Sequence, residues 1–201
     1  LFGGVSATWS NEAADLSSTT NEPEFRQVVL DAKKLTGYTV TSIELLTDSV
    51  ISLEALLMGM FSDALAYFED DAFINGTGAG QPLGIINADA LITQGAEGGQ
   101  AATTIVWENI VNMYSRMLPQ SLSRAVWVAH SDTFPQLATM SLNVGTGGSA
   151  IWLTNGVGPA PMTILGRPVI FTEKAQTLGT AGDLFFVDFG YYLIGDRQSL
   201  T

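Results

Sequence analysis

His130, Ser131 and Asp132 hold the three residue types of a serine-nucleophile triad, but they stand side by side in the chain. A working triad is assembled in space from separate elements, and three consecutive side chains cannot converge on one reacting atom. His130 is also the only histidine, so neither another triad nor a histidine-rich metal site can be built. The trio reads instead as a strand-end turn, with Ser131 capping the helix after it. Glu69, Asp70 and Asp71 could supply paired carboxylates for acid–base work or for a calcium ion. A calcium loop spaces its oxygen ligands at alternate positions around a central glycine, whereas EDDAFINGTG offers only this acidic run and Asn75. Asp183 and Asp188 flank the apolar LFFV and read as turn residues.

Glycines at 76, 78, 80 and 84 in FINGTGAGQPLGII invite a phosphate-loop reading. A P-loop needs a lysine and a hydroxyl residue at the mouth of the next helix. Gly84 is followed by Ile85 and Ile86. The dinucleotide fingerprint also fails, since Gln81 stands where its third glycine must be. Four tryptophans, Trp9, Trp107, Trp127 and Trp152, have no basic residues beside them to form a base-stacking platform. They read as core or interface anchors. No catalytic, cofactor-binding or metal-ligating residue is assigned, and no cofactor is expected.

The composition agrees. The 201 residues carry 8 basic and 20 acidic side chains, a net charge of −12. Lys33-Lys34 is the only basic pair, far too small a patch to grip nucleic acid through phosphates. The charged fraction is 14% against 46% hydrophobic, where about 25% charged is usual for a soluble domain. Such a chain either buries a large core or hides surface against other subunits. There is no cysteine, and no run of about 20 apolar residues that could cross a membrane as a helix. The chain opens on Leu1 and is expected to be a processed or truncated piece of a longer protein.

Elements positioning these residues follow from periodicity. Residues 53–71 repeat apolar side chains at helical spacing, from Leu53 through Met60 and Phe61 to Phe68, with Ser52 as N-cap. The stripe is expected to be core, and Glu69–Asp71 to mark the helix end. β-Formers predict strands at 25–32 and 37–44, which with residues 4–10 make a long hairpin whose polar tip spans 11–23. The spacing predicts a helix over 105–118 stopped by Pro119, a buried strand over 124–129, and a short helix from Ser131 to about Ser141. Glycine-rich loops are expected at 95–102 and 145–148, and a turn at Pro159 and Pro161. Short strands are expected at 162–165 and 168–172, and a last strand pair at 184–188 with 191–196. Helices and strands without a βαβ rhythm give an α+β class.

In order along the chain, EPEF (Glu22 to Phe25), ELLTDSVISLEALL (Glu44 to Leu57), ALAYFEDDAFINGTGAGQPLGI (Ala64 to Ile85), RAVWVAHSDTFPQL (Arg124 to Leu137), LGRPVIFTEKA (Leu165 to Ala175) and DLFFVDFGYYLIGDR (Asp183 to Arg197) resemble tailed-phage major capsid proteins of the Hong Kong 97 type. The resemblance implies an extended loop over 1–45, a peripheral domain with a spine helix over 46–102, and an axial domain over 103–201 with the start of a return to the peripheral domain. It implies a shell subunit, not an enzyme. The subunit would self-assemble through pentamers and hexamers into an icosahedral shell around double-stranded DNA. It would have scaffolding, portal and maturation-protease partners and no membrane, residing in the virion after assembly in the host cytoplasm. Some family members cross-link through a lysine in the extended loop. Residues 1–32 contain no lysine and Glu22 stands near that position, so no isopeptide chemistry is expected. The alternatives are an encapsulin-like nanocompartment shell of the same fold, a nucleotide-binding enzyme using the glycine loop, and a decoration module.

Overall fold

A computed structural model describes residue 9 and residues 28–44, 52–144, 147–150 and 163–197. Contacts divide the chain into two units, one of residues 1–31 with 195–201 and one of residues 32–194. In the first, Leu30 lies against Gly195, where an added Cβ would come within 2.9 Å of the leucine's Cδ1. The second holds every element named below.

Helix α1 runs Leu53–Asn75, four residues beyond its expected end. Glu69, Asp70 and Asp71 therefore lie inside the helix, not at its terminus. The extension has a local cause. The Asn75 side-chain amide donates to Asp71 Oδ1 one turn back, at 2.8 Å, while Ala72 is buried and Ile74 packs against the sheet. Ser52 sits at the N-cap, but its side chain makes no capping bond. The apolar stripe is not core as expected. Leu53, Leu57, Phe61 and Leu65 are half-buried, and Ala72 alone in the helix is buried. Met60 and Phe68 are 60% and 59% exposed.

The strands expected before α1 are absent from 28–42, and Ile43–Glu44 is helical. β-Propensity expresses fit to a pleated, half-buried surface. Tyr38 and Val40, 91% and 90% exposed, have no such surface to lie on. The segment meets α1 at Gly37, which passes so close that an added Cβ would sit 3.2 Å from the Phe61 ring. Apart from the exposed Trp9, the strand over 4–10 lies outside the described residues, as do the tip over 11–23 with Glu22, residues 25–27 and the Pro159–Pro161 turn.

The folded centre starts at α2, Trp107–Arg116. Asn109 Oδ1 accepts the Val106 backbone N–H at 3.0 Å, satisfying a donor at the helix start. The loop before it is held by Glu97, whose Oε1 accepts from Asn112 Nδ2 at 2.8 Å and from Gln94 Nε2 at 2.9 Å. Strand β1, Val126–Ala129, follows Pro119 as expected. His130, not Ser131, caps the next turn. Its Nδ1 accepts the Asp132 backbone N–H, opening a 3₁₀ turn Ser131–Thr133 that leads into α3, Phe134–Thr139. Ser141 belongs to a strand, and of the expected glycine loop residues 147–148 lie in a strand while 145–146 lie outside the described residues. Strands β2, Ser141–Val144, and β3, Gly147–Ala150, pair antiparallel. Glycines 147 and 148 can stand in a ladder because they still carry backbone donors and acceptors.

Strands β4, Thr163–Ile164, and β5, Arg167–Phe171, form a tight hairpin. Its two loop residues, Leu165 and Gly166, have φ of +49° and +74°, the mirror-image turn that matches strand twist. Strand β6, Leu184–Val187, completes a four-stranded sheet in the order β4-β5-β1-β6. Strand β1 is parallel to β5 and antiparallel to β6. The expected pairing of 184–188 with 191–196 does not occur. Asp188 and Gly190 turn the chain into a 3₁₀ turn Phe189–Tyr191, and β6 finds β1 instead. The core sits on this sheet. Trp127 is fully buried, stacked 4.2 Å from Phe186, and its Nε1 donates to the Ile164 carbonyl at 3.1 Å. Ile110, Leu137 and Val169 close around it. The opposite face gathers Val128, Ala175 and Phe185, with Ile74 of α1 against them.

Candidate functional site

The glycine loop after α1 is the feature with most sequence signal, so its amides matter. Gly76 N–H donates to Ala72 O at 2.9 Å, Gly84 N–H to Gly76 O at 2.8 Å, and Gly78 N–H to Pro82 O at 3.3 Å. Thr77 and Leu83 form a bridge. These amides face the protein's own carbonyls, whereas a phosphate cradle must aim them at a ligand. Gly84 is required by crowding, since a Cβ there would lie 2.5 Å from Gly76 N and Ile74 O. The loop is a knot that ends the helix.

The knot is tied on two sides. On one, Asn87 Nδ2 donates to the carbonyls of Asn75 and Gly76, each at 3.0 Å, and the Tyr192 hydroxyl donates to Leu83 O at 2.8 Å. Partial burial raises the Tyr192 pKa, keeping that donor protonated. On the other, the segment leaving β5 grips the helix. Asn75 Nδ2 donates to Lys174 O and Gln176 Nε2 donates to Asn75 Oδ1, both at 2.8 Å. Lys174 Nζ donates to Tyr67 O at 2.7 Å and lies over the Tyr67 ring. A helix end that shows much apolar surface is thereby fastened to the sheet by polar contacts.

The other sequence candidates resolve into structure. His130 is buried between two carboxylates, with Nδ1 3.3 Å from Asp132 Oδ2 and Nε2 3.3 Å from Glu173 Oε2. Since Nδ1 already accepts the Asp132 backbone N–H, the ring serves the turn, and Ser131 stays its chain neighbour there. Asp183 is a turn residue as expected, its carboxylate accepting the Gly179 and Leu184 amides. Asp188 does more than turn the chain. It accepts the Gly190 amide at 3.0 Å and pairs with Arg124 at 2.8 Å. Burial pushes its pKa up, but the Gly190 amide, Arg124 and Ser121 outweigh that and hold it below the ordinary carboxylate value. Arg124 also faces the Tyr191 ring at 5.6 Å. Sequence reading missed this pair, which joins residues 64 positions apart. The scarcity of cations was its only signal. No group of three or more His, Asp or Glu that could hold a metal ion occurs among the described residues. None of their helices is long and apolar enough to cross a membrane.

What remains as candidate functional surface is apolar. Leu56, Met58, Met60, Tyr67 and Phe68 on α1 are exposed, as are Phe189, Tyr191, Leu193 and Ile194 after β6. Scattered exposed leucines are ordinary, but runs of this kind mark surfaces that meet other molecules.

A model of the phage capsid family matches residues 3–201. Two solved structures are similar in fold. The capsid of an empty GTA particle, computed with C5 symmetry, aligns with a TM-score of 0.73 at 24% identity, over 92% of this chain and 64% of that one. The capsid of a native GTA particle, also computed with C5 symmetry, gives 0.74 at 24% identity, over 92% and 65%. The chain thus spans just under two thirds of the length of either structure. No match is found among curated proteins.

Proposed function

The chain belongs to the phage capsid family, and on that premise we propose that it is a major capsid subunit whose work is assembly. The reading is carried by one observation. The α1 stripe keeps helical apolar spacing while Met60 and Phe68 remain well over half exposed. Fully burying a side chain of that size from water is worth about 1.5–3 kcal/mol and covering its remaining exposed part is worth less, so many copies making modest contacts can close a stable cage. An architecture of the Hong Kong 97 type fits this use. Residues 1–45 would lap a neighbour, 46–102 would form the peripheral domain with α1 as spine, and 103–201 would form the axial domain. The net charge of −12 suits a shell that encloses double-stranded DNA without adhering to it. The self-directed amides of the glycine loop support a structural, non-enzymatic role. Scaffolding, portal and protease partners, assembly in the host cytoplasm and residence in the virion complete the proposal.

Negative-stain electron microscopy of the full-length parent protein tests it. Closed particles of uniform size are expected. Small dispersed species at every protein and salt concentration would overturn the reading. Denaturing gels of those particles are expected to show single subunits without covalent ladders.

A further inference from the structure

Asn75-Gly76 is an asparagine–glycine pair, the dipeptide in which the side-chain amide is most open to attack by the next backbone nitrogen, because glycine offers no side chain in the way. The fold places this reactive pair at the centre of the knot that fastens α1. We propose that Asn75 is a deamidation site held inert by the knot and released when the segment leaving β5 lets go of the helix.

The chemistry is internal. Gly76 N would bond to Asn75 Cγ, the Cγ–Nδ2 bond would break, and ammonia would leave with the Gly76 amide proton. Water would then open the cyclic imide to aspartate or isoaspartate. The attack requires Cγ to swing over the Gly76 nitrogen, with the backbone of Asn75 rotated out of the helix. In the closed structure Asn75 is the last helical residue and Gly76 N–H is bound to Ala72 O at 2.9 Å. The side chain is fixed at both ends. Nδ2 donates to Asp71 Oδ1 and Lys174 O, and Oδ1 accepts from Gln176 Nε2, all at 2.8 Å. Neither the nucleophile nor the carbonyl carbon can move to the other while these bonds last.

Opening is recorded permanently. An aspartate at position 75 sets acceptor oxygens against the Asp71 carboxylate and the Lys174 carbonyl, where a donor stood. Like charge and a lost donor both oppose reclosure. A subunit whose α1 end has opened is thus covalently distinguished from one whose has not.

The test follows Asn75 by peptide mass spectrometry in the full chain at mildly alkaline pH, folded and in urea above its unfolding transition. Asn155-Gly156, the chain's second such pair, calibrates the urea rates. Folded Asn75 is expected to react at least about tenfold more slowly than unfolded Asn75, since reaction must wait for local opening. Gln176→Ala, checked for folding by circular dichroism, is expected to speed the folded reaction about fivefold, the factor set by one net hydrogen bond. Equal folded and unfolded rates, or no effect of Gln176→Ala in a folded chain, overturn the proposal. If that variant fails to fold, the unaltered chain is followed through urea concentrations below its transition. A rate that climbs before global unfolding supports local release, and one that stays flat until global unfolding overturns it.

Discussion

The sheet and helix α1 draw on the same apolar residue types and put them to opposite use. Around β1 the side chains of Trp127, Ile110, Leu137 and Val169 are sealed from water. Along α1 a stripe of equal regularity stays half-buried or exposed, and the helix is fastened through Asn75, Lys174 and Gln176. Periodicity therefore reports that a face will be covered without saying by what. The sheet is covered by its own chain, and the helix, on the proposed function, by neighbouring copies.

The largest test of this contrast is Trp127→Ala. Removing the ring that stacks on Phe186 is expected to cost about 3–5 kcal/mol, read by urea unfolding of the isolated subunit. Gly84→Ala comes next at about 2–3 kcal/mol, the upper end of ordinary single substitutions, because the new Cβ meets backbone on two sides. A loss nearer zero would mean the knot adjusts and fastens α1 less firmly than its geometry implies. A smaller effect belongs to Asp188. Its lowered pKa means that pairing stabilises the fold above the ordinary carboxylate range and is lost as pH falls through the lowered value. Asp188→Asn is expected to flatten the acid limb of a melting-temperature profile, and an unchanged limb would remove the pair from the stability account. Smallest in the subunit are Met60→Gln and Phe68→Gln, within about 0.5 kcal/mol of the parent, yet both are expected to reduce particle yield in electron micrographs. Loss of subunit stability as great as that of Trp127→Ala would erase the contrast.

Legibility in the sequence followed the range of the interactions. Helix α2, strand β1, the β4-β5 hairpin and the LFFV strand were readable because periodicity and turn residues act within a few positions. The 28–42 segment was misread because Val28, Val29 and Val40 have strand propensity but no half-buried surface on which to use it. The partner of β6 was misread because adjacency in sequence favoured 191–196, while the ladder went to β1. The α1 stripe was recognised and its covering was not, since burial depends on what lies opposite. At the site, the missing lysine argued against a phosphate role for the glycine loop, and its amides at Gly76, Gly78 and Gly84 bond to the chain's own carbonyls. The long-range ties of Asn75 were not legible, because its partners Lys174 and Gln176 lie 99 and 101 positions away.

The central strand has both of its sheet partners downstream, and this sets an order of events on the ribosome. Arg124 enters the tunnel 64 residues before Asp188, roughly 3–13 s at synthesis rates of ~5–20 residues per second. Until residues 167–171 are made the Trp127 face has no β5, until residues 184–187 are made it has no β6, and α1, made earlier still, waits for Lys174 and Gln176 to grip it. The newborn subunit therefore passes through a period when its future core and α1 are bare together, and anything that holds such chains apart acts most strongly before residue 187 has emerged.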